Sequence, residues 1–307
     1  MYTLSLGVVD FATEKRHKTP KLKSICMLKS NFVNGCSFGK PQIKKQRRSK
    51  PFEILYQNVR GLRTKLQDFY ISVSSILVDL FAITETGCSE SISDAELVPP
   101  GYSIIRCDRM DGRKQGGACL VAAPRFELRS VPVPCDINIA ARAFELVCAT
   151  VYLKKRYLFT VCVVYIPPNS NECEYMLLFK TIEGYYNKYS DLLVIGDFNL
   201  YSCSLNVLNY YEYFFSYCGF TQCNKVSNIN NRQLDLVLGA LSEGSLVSVC
   251  EASEPLVTVD AYHPPLLVSA WPRSPPAAAP YSDTDMDTRS AGAGLRCCWC
   301  RPLAPTC

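Results

Sequence analysis

The sequence predicts an α+β domain over residues 51–271, set between two segments of different composition. Three observations predict it. Short apolar runs of strand length are interspersed with three longer segments in which apolar residues recur three and four apart. Many of the runs end in, or are interrupted by, a polar or ionisable residue. Outside 51–271 the charge balance and the composition both change.

The chain has 307 residues and is 48% hydrophobic, enough to bury a sizeable core. No apolar run approaches the roughly 18 residues of a membrane helix. The short apolar patch Met1–Val9 has neither a basic stretch before it nor a small-residue cleavage site, so no secretory signal is assigned. The 17 cysteines are scattered singly through apolar segments, a pattern that reads as reduced thiols in an intracellular, nuclear or cytoplasmic protein that is not secreted. Residues 1–50 carry 12 Lys/Arg against 2 Asp/Glu and end in Lys44-Lys45-Gln46-Arg47-Arg48-Ser49-Lys50. They read as a disordered basic arm, with nuclear localisation or phosphate binding as the functional option. The rest of the chain is mildly acidic, so charge alone does not mark the body as a nucleic-acid binder.

Phe52–Val59 is the first strand, Arg60-Gly61-Leu62 the turn leaving it, and Lys65–Leu77 an amphipathic helix. Val78–Glu85 is a second buried strand ending in a carboxylate. Residues 86–101 form a polar loop. Short strands follow at Tyr102–Arg106, Gly117–Ala122, Phe126–Val131, Ala143–Tyr152 and Tyr157–Tyr165. Pro167-Pro168 closes the last of them, because proline cannot continue a ladder. Glu172–Tyr189 is helical, Leu192–Ile195 a buried strand, and Asn206–Tyr217 an aromatic-rich helix. Leu234–Leu238, Leu246–Cys250 and Leu266–Ala270 complete the strands. Residues 272–307 are rich in Pro, Ala and Ser and read as disordered; Cys297-Cys298-Trp299-Cys300 in them is a weak zinc signal.

The run Leu192–Ile195 leads into Gly196-Asp197-Phe198-Asn199. With a side-chain period of two, Asp197 and Asn199 leave the strand end on one side while Phe198 faces the core. A base and a hydrogen-bond donor aimed at one spot suit attack on a phosphate. Asn58, Glu85, Tyr165, Asp235, Asp260 and His263 likewise end or interrupt apolar segments, and His263 is the sole imidazole within 51–271. Phosphodiester cleavage needs an activated water, positive charge on the non-bridging oxygens and a donor to the developing oxyanion.

The ordered motifs Gln57–Leu62, Ile83–Thr86, Val164–Pro168, Gly196–Asn199, Leu234–Val237 and Asp260–Pro264 resemble the endonuclease domain of non-LTR retrotransposons, the jockey-like group most closely. That domain belongs to the endonuclease/exonuclease/phosphatase superfamily, with the apurinic endonucleases and deoxyribonuclease I. The resemblance covers about residues 51–271. It implies a four-layer sandwich of two packed mixed β-sheets flanked by helices, with the site at one edge of the sheets. By the same resemblance Glu85 binds Mg²⁺ (or Mn²⁺) with Asn58 beside it, and Asp197 orients and deprotonates the water. Asn199, Tyr165 and Arg60 meet phosphate or DNA, and His263, oriented by Asp235 or Asp260, stabilises the phosphorane.

The chain departs from the family pattern in three places. Ala261-Tyr262 separates Asp260 from His263, Arg60 stands where apurinic endonucleases carry an acidic residue, and only Gly116-Gly117-Ala118 follows Asp108-Arg109. The expected activity is Mg²⁺-dependent nicking of one DNA strand to leave 3′-hydroxyl and 5′-phosphate ends, as in target-primed retrotransposition. The expected partner is DNA and not a membrane. A full element would continue into a reverse transcriptase, which this sequence does not contain. The rival reading is a silent, truncated or co-opted remnant that at most binds nucleic acid; a phospholipid or inositol phosphate substrate ranks below it.

Overall fold

The computed structural model of the chain describes residues 50–109, 115–133 and 144–271. The expectations for residues 1–49 and 272–307, including most of the basic cluster and the terminal cysteines, lie outside these residues.

Twelve strands and four α-helices follow one another within them. They are β1 (Phe52–Asn58), α1 (Leu66–Ser75), β2 (Leu80–Thr84), α2 (Asp94–Leu97), β3 (Ser103–Cys107), β4 (Ala118–Ala122), β5 (Phe126–Ser130) and β6 (Glu145–Leu153). Then come β7 (Arg156–Tyr165), α3 (Glu172–Lys188), β8 (Leu192–Asp197), α4 (Leu205–Tyr217), β9 (Thr221–Gln222), β10 (Asp235–Ala240), β11 (Leu246–Glu251) and β12 (Leu266–Trp271). One sheet has the order β11-β12-β1-β2-β4-β3 and the other β5-β6-β7-β8-β10-β9. Each contains one parallel pair, β1 with β2 and β7 with β8. A parallel pair needs a crossover, which α1 and α3 provide. The two sheets thus share one connectivity pattern, started at different points of the chain.

Period-two alternation builds the layers. Ile54, Tyr56, Leu80, Ala82, Val161, Val163, Leu193, Ile195 and Val237 point inward and form the core between the sheets. On the outer face of the first sheet, Leu55, Phe81 and Ile83 pack against Phe69 and Val73 of α1. On the outer face of the second, Cys162, Val194 and Leu236 meet Tyr175, Phe179 and Ile182 of α3 and Phe214 of α4. This is the four-layer arrangement of two mixed sheets flanked by helices that the resemblance implies. Each such fully buried aliphatic or aromatic side chain contributes about 1.5–3 kcal/mol.

Local differences have local causes. The loop 86–101 holds the short helix α2, nucleated by a capping box in which Ser93 and Glu96 satisfy each other's backbone N–H. The first helix stops at Ser75, so Leu77 is left 89% exposed rather than on the buried stripe. The run of short strands is divided between the two sheets, for the chain changes sheets between β4 and β5. No helix among the described residues is long and apolar enough to cross a membrane. No disulfide joins the ten cysteines among them.

Candidate active site

The inward faces continue past the apolar core to one end of the sandwich, where the same positions turn polar. In the second sheet the pairing register sets Glu145 beside Tyr165, Tyr165 beside Asp197, and Asp197 beside Asp235. Four polar side chains therefore stand in one row, on the face that carries Val147, Val163, Ile195 and Val237 one pleat deeper. Facing them, β1 and β2 end their inward series in Tyr56, Asn58 and Thr84. Side-chain hydrogen bonds join the two sheets at this end.

The Asn58 carboxamide Nδ2 donates to Glu85 Oε1 at 2.9 Å and to Asp197 Oδ2 at 3.1 Å. Tyr56 donates its hydroxyl to Asp235 Oδ1 at 2.5 Å and lies 3.0 Å from Thr84 Oγ1. Asp235 Oδ2 meets His263 Nδ1 at 2.9 Å. His263 Nε2 is left 4.0 Å from Asp197 Oδ2, beyond hydrogen-bonding distance. One ligand atom each from Glu85, Asp197 and His263 lies within 4.8 Å of the others, and all three residues are buried.

Burial opposes the ionised form of Asp197, and the Asp235 carboxylate adds to this. Its pKa is raised well above the ordinary carboxylate range, although the charge of His263 works the other way. Burial alone would lower the pKa of His263. The hydrogen bond and charge of Asp235, with the charges of Asp197 and Glu85, outweigh that and raise it to about 9. Tyr165 is also pushed up, by burial first and then by Glu85 and Asp197. The site therefore favours a protonated imidazole, oriented through Nδ1 by Asp235 and set close to Asp197 and Glu85.

The sequence expectations divide cleanly over this geometry. Asn58, Glu85, Asp197, Asp235 and His263 form one connected cluster, with Tyr165 beside Asp197 in the strand register. Of the two partners proposed for His263, the side chain of Asp235 is the one in contact. Asp260 instead pairs through Oδ2 with Arg60 Nη1 at 2.7 Å, and only its backbone carbonyl accepts the His263 N–H. Arg60 and Asp260 thus sit together at the rim. Phe198 is fully buried as expected, but the strand ends at Asp197, and Asn199 reaches the region by a left-handed turn (φ 47°) rather than by alternation. Its Nδ2 donates to the carbonyl of Ile166 at 3.0 Å.

Several supporting residues escaped the sequence reading. Tyr56 shares the inward face with Asn58, and a buried tyrosine hydroxyl needs a partner, so its link to the site was available as a signal. Glu145 pairs with Arg109 at 2.7 Å, and Arg109 lies 5.8 Å from the centre of the Tyr165 ring. Gly116 and Gly117 leave room for this, since a Cβ on Gly116 would fall 2.8 Å from Arg109 and one on Gly117 2.4 Å from Thr86 Oγ1. The carboxamide oxygen of Gln57, on the outer face, accepts from the N–H of Leu256 (2.8 Å) and of Val257 (3.3 Å), and its Nε2 donates to the Val257 carbonyl at 3.1 Å.

No protein-family model and no curated protein sequence matches this chain. Solved structures do. The catalytic domain of human Nocturnin, described with a bound sulfate anion, superposes with a TM-score of 0.53 at 14% identity, over 73% of this chain and 94% of that one. The 3′–5′ exonuclease NExo from Neisseria meningitidis gives 0.51 at 14% identity, over 70% and 98%. The AP endonuclease LMAP from Leishmania major gives 0.51 at 12% identity, over 73% and 89%. Two six-stranded mixed sheets with flanking helices, in the arrangement shared with these proteins, give this chain the endonuclease/exonuclease/phosphatase fold.

Proposed function

We propose that the chain is a divalent-metal-dependent phosphodiesterase that nicks one strand of DNA, leaving 3′-hydroxyl and 5′-phosphate ends, as in target-primed retrotransposition. The observation that carries this reading is the Asp235–His263–Asp197 arrangement. His263 is held through Nδ1 by Asp235, while Nε2 faces Asp197 across 4.0 Å without bonding to it. That leaves an oriented donor and a buried base aimed at one point, opposite the Asn58–Glu85 pair. A fold also used by a 3′–5′ exonuclease and an AP endonuclease supports nucleic acid as the substrate class.

The donor set fits a hard cation. Asp197 Oδ1 is buried without a hydrogen-bond partner, and carboxylate oxygens are the ligands that Mg²⁺ and Mn²⁺ prefer. Glu85 would hold the ion, with Asn58 beside it and Asp197 within reach. When bound, such an ion supplies positive charge to the non-bridging phosphate oxygens. The protein's own groups do the rest. Asp197, with its proton affinity raised by burial, accepts the proton of the attacking water. His263, whose protonated form the hydrogen bond to Asp235 favours, donates from Nε2 to the phosphoryl oxygen on which charge develops. Asn58 fixes Asp197 and Glu85 relative to each other, and Tyr165 and Asn199 stand beside the reacting phosphate.

Plasmid nicking with and without EDTA, using wild type, Asp197→Ala and His263→Ala, tests the proposal. Each substitution is expected to slow nicking by about 10²–10⁴-fold. Relaxed circles formed by both variants at the wild-type rate would sink the reading, and an inactive wild type would turn it towards a silent nucleic-acid-binding remnant.

A further inference from the structure

The mouth of the site carries residues that none of these steps uses. Tyr201, two positions past Asn199, is 63% exposed, and the Arg232 guanidinium lies over its ring, 3.4 Å from the centroid. Arg232 stands three positions before Asp235 and lines one small cavity with Asp235 and Tyr262. Its loop is firmly built. Buried Asn228 accepts through Oδ1 from the N–H of Asn230 (2.9 Å) and Arg232 (3.0 Å), and donates through its own N–H to the Arg232 carbonyl (2.9 Å). Asn228 Nδ2 also donates to the carbonyl of Tyr262 at 3.2 Å, and the Ile229 N–H to that of Ala261 at 3.2 Å. The loop that presents Arg232 is thereby fastened to the loop that presents His263. Tyr262 (48% exposed) and Arg60 complete an edge of aromatic and cationic groups beside a site in which His263 itself is only 7% exposed.

We propose that the Tyr201–Arg232 stack is a platform for a nucleobase next to the reacting phosphate, so that the preferred substrate is a phosphodiester flanked by an unpaired or unstacked base. The physical basis is the planarity of both groups. A guanidinium lying flat on a ring extends the stacking surface and adds a positive charge, the combination by which proteins hold single-stranded nucleic acid without reading its sequence. A phosphate must come close to a recessed imidazole to be attacked, and a base still stacked in a duplex hinders that approach. This inference rests on the phosphodiesterase reading for the place of the strand.

The test is binding of fluorescent strands in EDTA, where no cleavage intervenes. The probes are a single-stranded DNA oligonucleotide, the same oligonucleotide in a duplex, and an abasic strand of equal length. Wild type is expected to bind the base-bearing single strand more tightly than the abasic one. Tyr201→Ala and Arg232→Lys are each expected to lose about tenfold on the base-bearing strand. On the abasic strand Arg232→Lys, which keeps the charge, is expected to match wild type. Tyr201→Leu serves in place of Tyr201→Ala if the latter does not fold. Equal losses on both strands, no loss on either, or no binding by wild type would overturn the platform. Plasmid nicking with Mg²⁺ separates the two ideas. A wild type that never nicks yet binds through Tyr201 removes the nuclease reading alone, whereas normal nicking with Tyr201-independent binding removes the platform alone.

Discussion

One backbone angle decides whether Glu85 belongs to the site. Alternation along β2 would send it to the outer face with Ile83, but a φ of 54° turns it back towards Asn58. Arg60 (φ 48°) and Asn199 (φ 47°) are placed in the same left-handed way. Non-glycine residues in this region cost of order 1–3 kcal/mol each and persist where surrounding contacts hold them. Here the Gly61 N–H donates to the Glu85 carbonyl at 2.7 Å. His263 offers the sharpest residue-level test. In metal-free protein its imidazole should titrate near 9, as followed by NMR of labelled histidine, and Asp235→Asn should bring it down. Because the folded pKa lies above the free value of about 6.5, protonation stabilises the fold. That contribution is complete below about 6.5 and fades as pH rises through about 9. Urea midpoints in EDTA should thus fall between pH 7 and 10 more steeply for wild type than for His263→Gln; parallel curves would contradict the assignment. Gly196 provides a steric test, since an added Cβ would lie 1.9 Å from the Val164 carbonyl oxygen. Gly196→Ala is expected to destabilise by about 3 kcal/mol or more, read as a drop in urea midpoint.

At the scale of elements, polar side chains fasten the loops that carry the chemistry. Asn224 does for β10 what a neighbouring strand would do, donating to the Asp235 carbonyl at 2.8 Å and accepting from the Val237 N–H at 3.0 Å. Gln57, fully buried, does the same for the segment that leads to Asp260 and His263. Gln57→Ala strands the amides of Leu256 and Val257, which should cost about 1–3 kcal/mol. Hydrogen exchange at those two amides should speed up, and nicking should slow by roughly tenfold as His263 loses its fixed position. Unchanged exchange would show that the loop does not depend on Gln57.

For the molecule as a whole, the two sheets meet at the site through hydrogen bonds as well as through the apolar core. Glu85 follows a strand of one sheet and Asp197 ends a strand of the other. A cation held between them would bind the folded state only, so Mg²⁺ or Mn²⁺ should raise the melting temperature. At a concentration about 100 times the dissociation constant the gain is about 2.7 kcal/mol. Glu85→Gln should abolish most of that rise without activity having to be measured. A rise of equal size in the variant would place the ion elsewhere.

Much of this was legible in the sequence because alternation and apolar periodicity are local. Phe52–Asn58, Glu172–Lys188 and Leu192–Asp197 fall almost where their patterns put them. Asn58 and Asp197, at the ends of two of these elements, stand in the candidate site. The sequence by itself determined most of the element types and offered the candidate residues Asn58, Glu85, Asp197, Asp235 and His263. Only the tertiary structure decided which sheet each short strand joined, that Asp235 rather than Asp260 holds His263, and that Tyr56, Gln57 and Glu145 support the cluster. The reason is physical: strand pairing joins residues far apart in the chain, as between Asp197 and Asp235, and a left-handed turn such as that at Glu85 reverses a side chain without any change in local composition.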